Sequence, residues 1–134
     1  GMIASTAIYG TIEQPFSPCD LAAAAGAAFV ARSTVYHAVE LDHLIELGMR
    51  KDGFALVEAV SYCHTTLGRL NRIGSAVDMM RQLKERGITQ EAAAKLSPEE
   101  RADKIVRGVL VDREIPEYTA QYQQVIERAQ AASA

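Results

Sequence analysis

The chain has 134 residues, of which 49% are hydrophobic and 23% charged, the balance of one soluble globular domain with a true core. A net charge of −3 argues against a protein that coats nucleic acid, and 6% aromatics without Trp argue against a single-strand stacking platform. No apolar run approaches the roughly 20 residues that span a bilayer.

Gly1-Met2 reads as a cleaved-tag glycine before an initiator methionine, and Met2–Tyr9 lacks the basic start and long apolar stretch of a signal peptide. With no export signal, Cys19 and Cys63 are expected to be reduced thiols or ligands in a cytoplasmic protein. Residues 3–16 carry little periodicity and read as an irregular lead-in. Ser17 as N-cap, Pro18 in the first turn and Asp20 three residues on open a short helix that Gly26 stops. Ala28–Ala31 reads as a short buried strand. The next helix, about Thr34–Arg50, places Ala38, Leu41, Ile45 and Gly48 on one stripe. Asp52-Gly53 breaks it, and Phe54–Val60 is apolar nearly throughout, the pattern of a strand covered on both faces in a parallel sheet. Strand, helix and strand with short connections predict a βαβ unit of an α/β fold.

Ser61–Gly74 has no clear period and leaves the carboxyl end of the second strand, where open parallel sheets place ligands. Behind it, Ser75 with Asp78 caps a helix ending at Gly87. Thr89–Leu96 reads as a second helix, Ser97-Pro98 opens a third, Ile105–Val111 reads as an edge strand and Tyr118–Gln130 as a final helix. The glycines are too dispersed to cradle a phosphate.

Cys63 can be read on the residues alone as a small buried residue, a nucleophile or a metal ligand. Adjacent His64 points elsewhere in most backbones, and no second cysteine lies at metal-ligand spacing, so any further ligands come from outside the chain. His37 and His43, six residues apart on a helix, cannot share a metal and are expected to be solvated or capping. Glu58, the one charge within its strand, needs a partner: an Arg, or a role as a base. Arg69, Asn71 and Arg72 form a local polar, positive cluster that could hold an anion or stay solvated.

The ordered series Phe29-Val30-Ala31-Arg32, Tyr36-His37, Lys51-Asp52-Gly53-Phe54, Val57-Glu58, Ser61-Tyr62-Cys63-His64-Thr65-Thr66 and Gly68-Arg69-Leu70-Asn71 resembles the C-terminal part of the β subunit of 2-oxoacid:ferredoxin oxidoreductases. The nearest branch is that of the 2-oxoglutarate enzymes. The family pattern runs FVAR-x-T-x-YH, KGF-x-x-x-EV and S-x-C-P-T-x-x-GR-x-N. Tyr9-Gly10, Ile12-Glu13 and Pro15-Phe16 with Cys19 fit its YGNIE-x-PFD-x-C stretch. Ala76–Met80, Gly108–Leu110 and Pro116–Tyr118 resemble the tail of the same subunit.

The resemblance implies a partial thiamine-diphosphate-binding α/β fold: a short parallel sheet with flanking helices over residues 1–74, and a mostly helical C-terminal extension over residues 75–134. It implies a complex that decarboxylates a 2-oxoacid, forms an acyl-CoA and reduces ferredoxin, with thiamine diphosphate, Mg2+ and a 4Fe–4S cluster as cofactors. Cys63 matches the remote cysteine that completes the cluster; His64 stands where the family has Pro. The family's G-D-G motif and C-x-x-C pair are not in this sequence. The chain alone is therefore expected to have no catalytic residue, no bound cofactor and no activity. Its expected partners are the α and other subunits, ferredoxin, and copies of itself, with no nucleic acid and no membrane. A non-catalytic module that binds the other subunits is the alternative; a cysteine hydrolase lacks a positioned base.

Overall fold

The computed structural model describes residues 1–132. Helix α1 (Pro18–Ala24) begins at Ser17, whose hydroxyl accepts the Asp20 N–H at 3.2 Å, and ends before Gly26 at φ +89°. Strand β1 (Phe29–Thr34) follows. Thr34 is still extended, and Val35–His37 tighten into a 3-10 turn before helix α2 (Ala38–Arg50). Strand β2 (Ala55–Val60) leads to a π-helical turn, His64–Gly68. Helix α3 (Ala76–Arg86) carries a full capping box, Ser75 with Asp78, and runs directly into strand β3 (Gly87–Thr89). Two single-turn helices, α4 (Gln90–Ala93) and α5 (Pro98–Arg101), precede strand β4 (Ile105–Asp112) and helix α6 (Tyr118–Ala132).

One sheet, in the order β2-β1-β4-β3, organises the chain. β1 and β2 pair in parallel from Phe29 opposite Ala55 to Thr34 opposite Val60, as the βαβ reading expects. β3 and β4 are also parallel, while β1 and β4 run antiparallel with a bulge after Val30. Alternation along the strands then builds two cores. On one face Val30 and Leu56 meet Cys19 and Ala22 of α1; on the other, Phe29, Ala31 and Val57 meet Leu44 and Leu47 of α2. Gly48 allows α2 to lie this close, because a Cβ there would stand 3.1 Å from Val57 Cγ2.

Four expectations need correction. The buried stripe of α2 is Leu44 and Gly48 with Leu41 and Leu47 partly covered, whereas Ala38 and Ile45 are exposed. Ile45 lies about 100° round the helix from Leu44, and the sheet receives the leucine ridge. β2 is an edge strand, and its two faces are covered only in part, by α1 at Leu56 and by α2 at Val57, while Phe54 lies before the strand and is 64% exposed. β4 is interior rather than an edge: Gly108–Asp112 pair with β1 and Ile105–Arg107 with β3. Thr89 caps only one helical turn, and Gly87, read as a helix stop alone, starts β3. Among the described residues no helix is long and apolar enough to cross a membrane.

Candidate functional site

At the carboxyl end of β2 the backbone stays extended through Cys63 and then winds into the π turn. The turn is closed by a hydrogen bond from the Gly68 N–H to the Cys63 carbonyl at 2.9 Å. Gly68 is buried against Met79 of α3, and a Cβ there would stand 2.8 Å from the Met79 sulfur. The Cys63 thiol is exposed, which corrects the reading of a small buried residue. The Leu67 backbone N–H and the Thr65 hydroxyl, 3.5 Å from Sγ, stabilise the thiolate and hold its pKa down at about 6. A shallow cavity of about 320 Å3 beside the sulfur is lined by Cys63, Thr66 and Leu67 on one side and by Ala4 and Ser5 of the lead-in on the other.

His64 does not join it. That side chain faces a separate small cavity with Tyr62, Ala76 and Met79, so no thiolate–imidazolium pair forms. Arg69 and Arg72 are exposed and pair with no carboxylate among the described residues. Asn71 is the tied member of that cluster. Its Oδ1 accepts the Ile3 N–H at 2.8 Å, and its Nδ2 donates to Ile3 O at 2.8 Å and Leu67 O at 2.9 Å.

The other candidates are structural. Glu58 meets Arg32 across β1 and β2, with Nε to Oε2 at 2.5 Å, and accepts the Cys19 thiol at 3.1 Å; Arg32 also donates to Ser17 Oγ at 3.0 Å. With its carboxylate engaged this way, Glu58 takes the paired role rather than that of a base. Cys19 is buried there, and burial followed by its hydrogen bond to Glu58 pushes its pKa up to about 12. His37 lies in the 3-10 turn with Nδ1 2.8 Å from Thr34 Oγ1, its pKa lowered by burial and then by the nearby Arg107. His43 is exposed on α2. A larger cavity of about 470 Å3 between α1, α4, α5 and β4 is lined by Asp20, Arg32, Gln90, Arg101 and Lys104 and does not include Cys63.

The donor set decides what Cys63 can hold. Among the described residues no group of three or more His, Cys, Asp or Glu side chains could bind a metal ion. A single exposed thiolate fits one iron of a cluster whose other ligands lie elsewhere. The positive-φ glycines Gly10, Gly26, Gly53 and Gly74 sit in four separate loop segments and Gly108 in β4, so no diphosphate cradle forms from them. Sequence reasoning singled out Cys63 and named Thr65 only within the motif around it, while Leu67, Ala4 and Ser5, which stand beside the thiol, carry no periodic signal.

This sheet and its helices form an α/β domain. The chain matches a solved 2-oxoglutarate:ferredoxin oxidoreductase from Magnetococcus marinus, a structure with 2-oxoglutarate, coenzyme A and succinyl-CoA bound. The TM-score is 0.74 at 23% identity, over 96% of this chain and 44% of that one, a likeness of fold. No protein-family model matches the chain. In sequence it is 43% identical over 117 residues to the 2-oxoglutarate synthase subunit KorB of Methanothermobacter thermautotrophicus, covering 87% of this chain and 41% of that subunit. It is 42% identical over 128 residues to the KorB subunit of Methanocaldococcus jannaschii, covering 96% of this chain and 47% of that subunit. The chain belongs to the β-subunit family of 2-oxoacid:ferredoxin oxidoreductases, and it spans less than half the length of the curated relatives it matches.

Proposed function

We propose that this chain is the C-terminal part of a β subunit of a 2-oxoglutarate:ferredoxin oxidoreductase, in which Cys63 supplies one thiolate to a 4Fe–4S cluster. The observation that carries this reading is an exposed thiol of low pKa at the carboxyl end of β2, in a chain 43% identical to KorB. A thiolate is the form that binds iron, and with a pKa of about 6 Cys63 is largely in that form at neutral pH.

Such an enzyme converts 2-oxoglutarate and coenzyme A to succinyl-CoA and CO2 and passes two electrons to ferredoxin. When bound, thiamine diphosphate with Mg2+ supplies the electron sink for decarboxylation, and the cluster supplies one-electron chemistry. This chain contributes the thiolate and the packed α/β platform behind it. Its partners in this reading are the rest of the β subunit, the α and other subunits, and ferredoxin, in the cytoplasm. Alone it is inactive.

The test is made in a full β subunit carrying this sequence, co-expressed with its partner subunits. Cys63→Ser is expected to lose cluster iron and ferredoxin reduction, while Cys19→Ser keeps both. A full cluster in the Cys63 variant would leave Cys63 a surface thiol and end its reading as a cluster ligand.

A further inference from the structure

The lead-in is less irregular than its sequence. Ala4 and Ala7 exchange two backbone hydrogen bonds at 3.1 and 3.0 Å, and the Thr11 N–H donates to Met2 O at 3.0 Å. Residues 2–11 therefore close on themselves as a small loop. Its larger apolar side chains do little to anchor it, since Ile8 is 70% exposed and Tyr9 fully exposed. Among the described residues, the hydrogen bonds that join residues 1–11 to the remainder of the chain all run to one side chain, Asn71.

An asparagine amide is a detached peptide group, with one acceptor oxygen and two N–H donors. Asn71 uses all three. Two reproduce the reciprocal pairing of an antiparallel strand with Ile3, and the third reaches Leu67 O. Ile3 is followed directly by Ala4 and Ser5, and Leu67 is preceded by Thr66; these four line the cavity beside Cys63. One side chain thus ties both walls of that cavity together.

We propose that Asn71 is the positioning residue that holds the lead-in loop over the Cys63 turn, closing one wall around the group that Cys63 binds. The proposal rests on the reading of Cys63 as a cluster ligand. Solvent exposure governs both the lifetime and the potential of an iron–sulfur cluster, so a wall fixed by backbone-like bonds shields the iron from water and chelators. The pairing uses only the backbone of Ile3. Its side chain is therefore free to vary, but its N–H is required.

The experiment uses the β subunit in its complex and compares the parent with Asn71→Ala, Ile3→Pro and Ile3→Ala. Two quantities are read: hydrogen exchange of residues 2–5, and the rate at which cluster iron passes to an added ferrous chelator. Asn71→Ala and Ile3→Pro are expected to begin with full iron, exchange residues 2–5 near the unfolded-chain rate and release iron roughly fivefold faster or more, as the opened wall becomes populated. Ile3→Ala is expected to match the parent in both. If the parent holds iron and Asn71→Ala releases it at the parental rate, or leaves exchange unchanged, the clamp is wrong. A parent complex without cluster iron overturns the reading of Cys63 itself, and this proposal with it.

Discussion

Arg32 of β1 and Glu58 of β2 stand directly opposite one another in the parallel register and join through Nε and Oε2 at 2.5 Å. Both side chains are about three-quarters covered, at 20% and 26% exposure, and Ser17 and Cys19 bring α1 into the same network. The pair therefore locks the register of the βαβ unit and seats α1 on it.

Truncating one partner leaves the other charge largely covered and without its ion-pair partner. Glu58→Ala is expected to cost about 1–3 kcal/mol, and Arg32→Ala a similar amount. Urea unfolding of each variant and of Arg32→Met with Glu58→Leu checks this; the apolar double variant should recover much of the loss. Additive losses in the double variant would mean the two charges act independently.

The two cysteines should differ sharply in reactivity. With a pKa of about 6, Cys63 is mostly thiolate at pH 7, whereas Cys19, buried and pushed up to about 12, is entirely thiol. Iodoacetamide at pH 7 is expected to label Cys63 alone, with a rate that rises through pH 6 and levels off above it. Thr65→Val removes one thiolate partner and should move that rise to higher pH. Peptide mass spectrometry across a pH series reads both effects.

The capping box of α3 predicts an acid sensitivity of known sign. The Ser75 hydroxyl and then the Ser75 backbone N–H hold the Asp78 pKa below its ordinary value. A depressed carboxyl pKa contributes stability that is present above the unfolded value of about 4 and lost as pH falls through the folded one. Ser75→Ala should cost about 1 kcal/mol at pH 7. Asp78→Asn should flatten the fall in thermal midpoint below pH 4, measured by circular dichroism.

The exposed apolar surface predicts association of the chain when it is studied alone. Ile45 and Met49 form one outward stripe of α2, with Met49 83% exposed, and Phe54 stands open beside the β2 edge. Self-association over at least about 1,000 Å2 is expected, and light scattering across a concentration series measures it. Ile45→Glu with Met49→Glu should shift the population toward monomer; a strictly monomeric parent at every concentration would remove the prediction.

The parts of this fold legible in the sequence are those with local causes. Ser17, Ser75 and Ser97 start helices because a hydroxyl two or three residues ahead satisfies free N–H groups whatever the tertiary context. The change from helical stripe to apolar run at Gly53 likewise announced the parallel β1–β2 pair, and the loop after β2 pointed to Cys63. Tertiary structure alone decided the remainder. Gly87–Thr89 is a strand only because Ile105–Arg107 offers it a ladder, and three residues carry no period of their own. β4 became interior because eight residues can serve β1 with one half and β3 with the other. The choice of Leu44 over Ile45 was made by the sheet surface, and the partnership of Asn71 with Ile3, 68 residues apart, by the approach of two loops that no sequence window spans. Hydrogen bonds between neighbours are written in composition and spacing, whereas those between distant residues exist only once the core has brought them together.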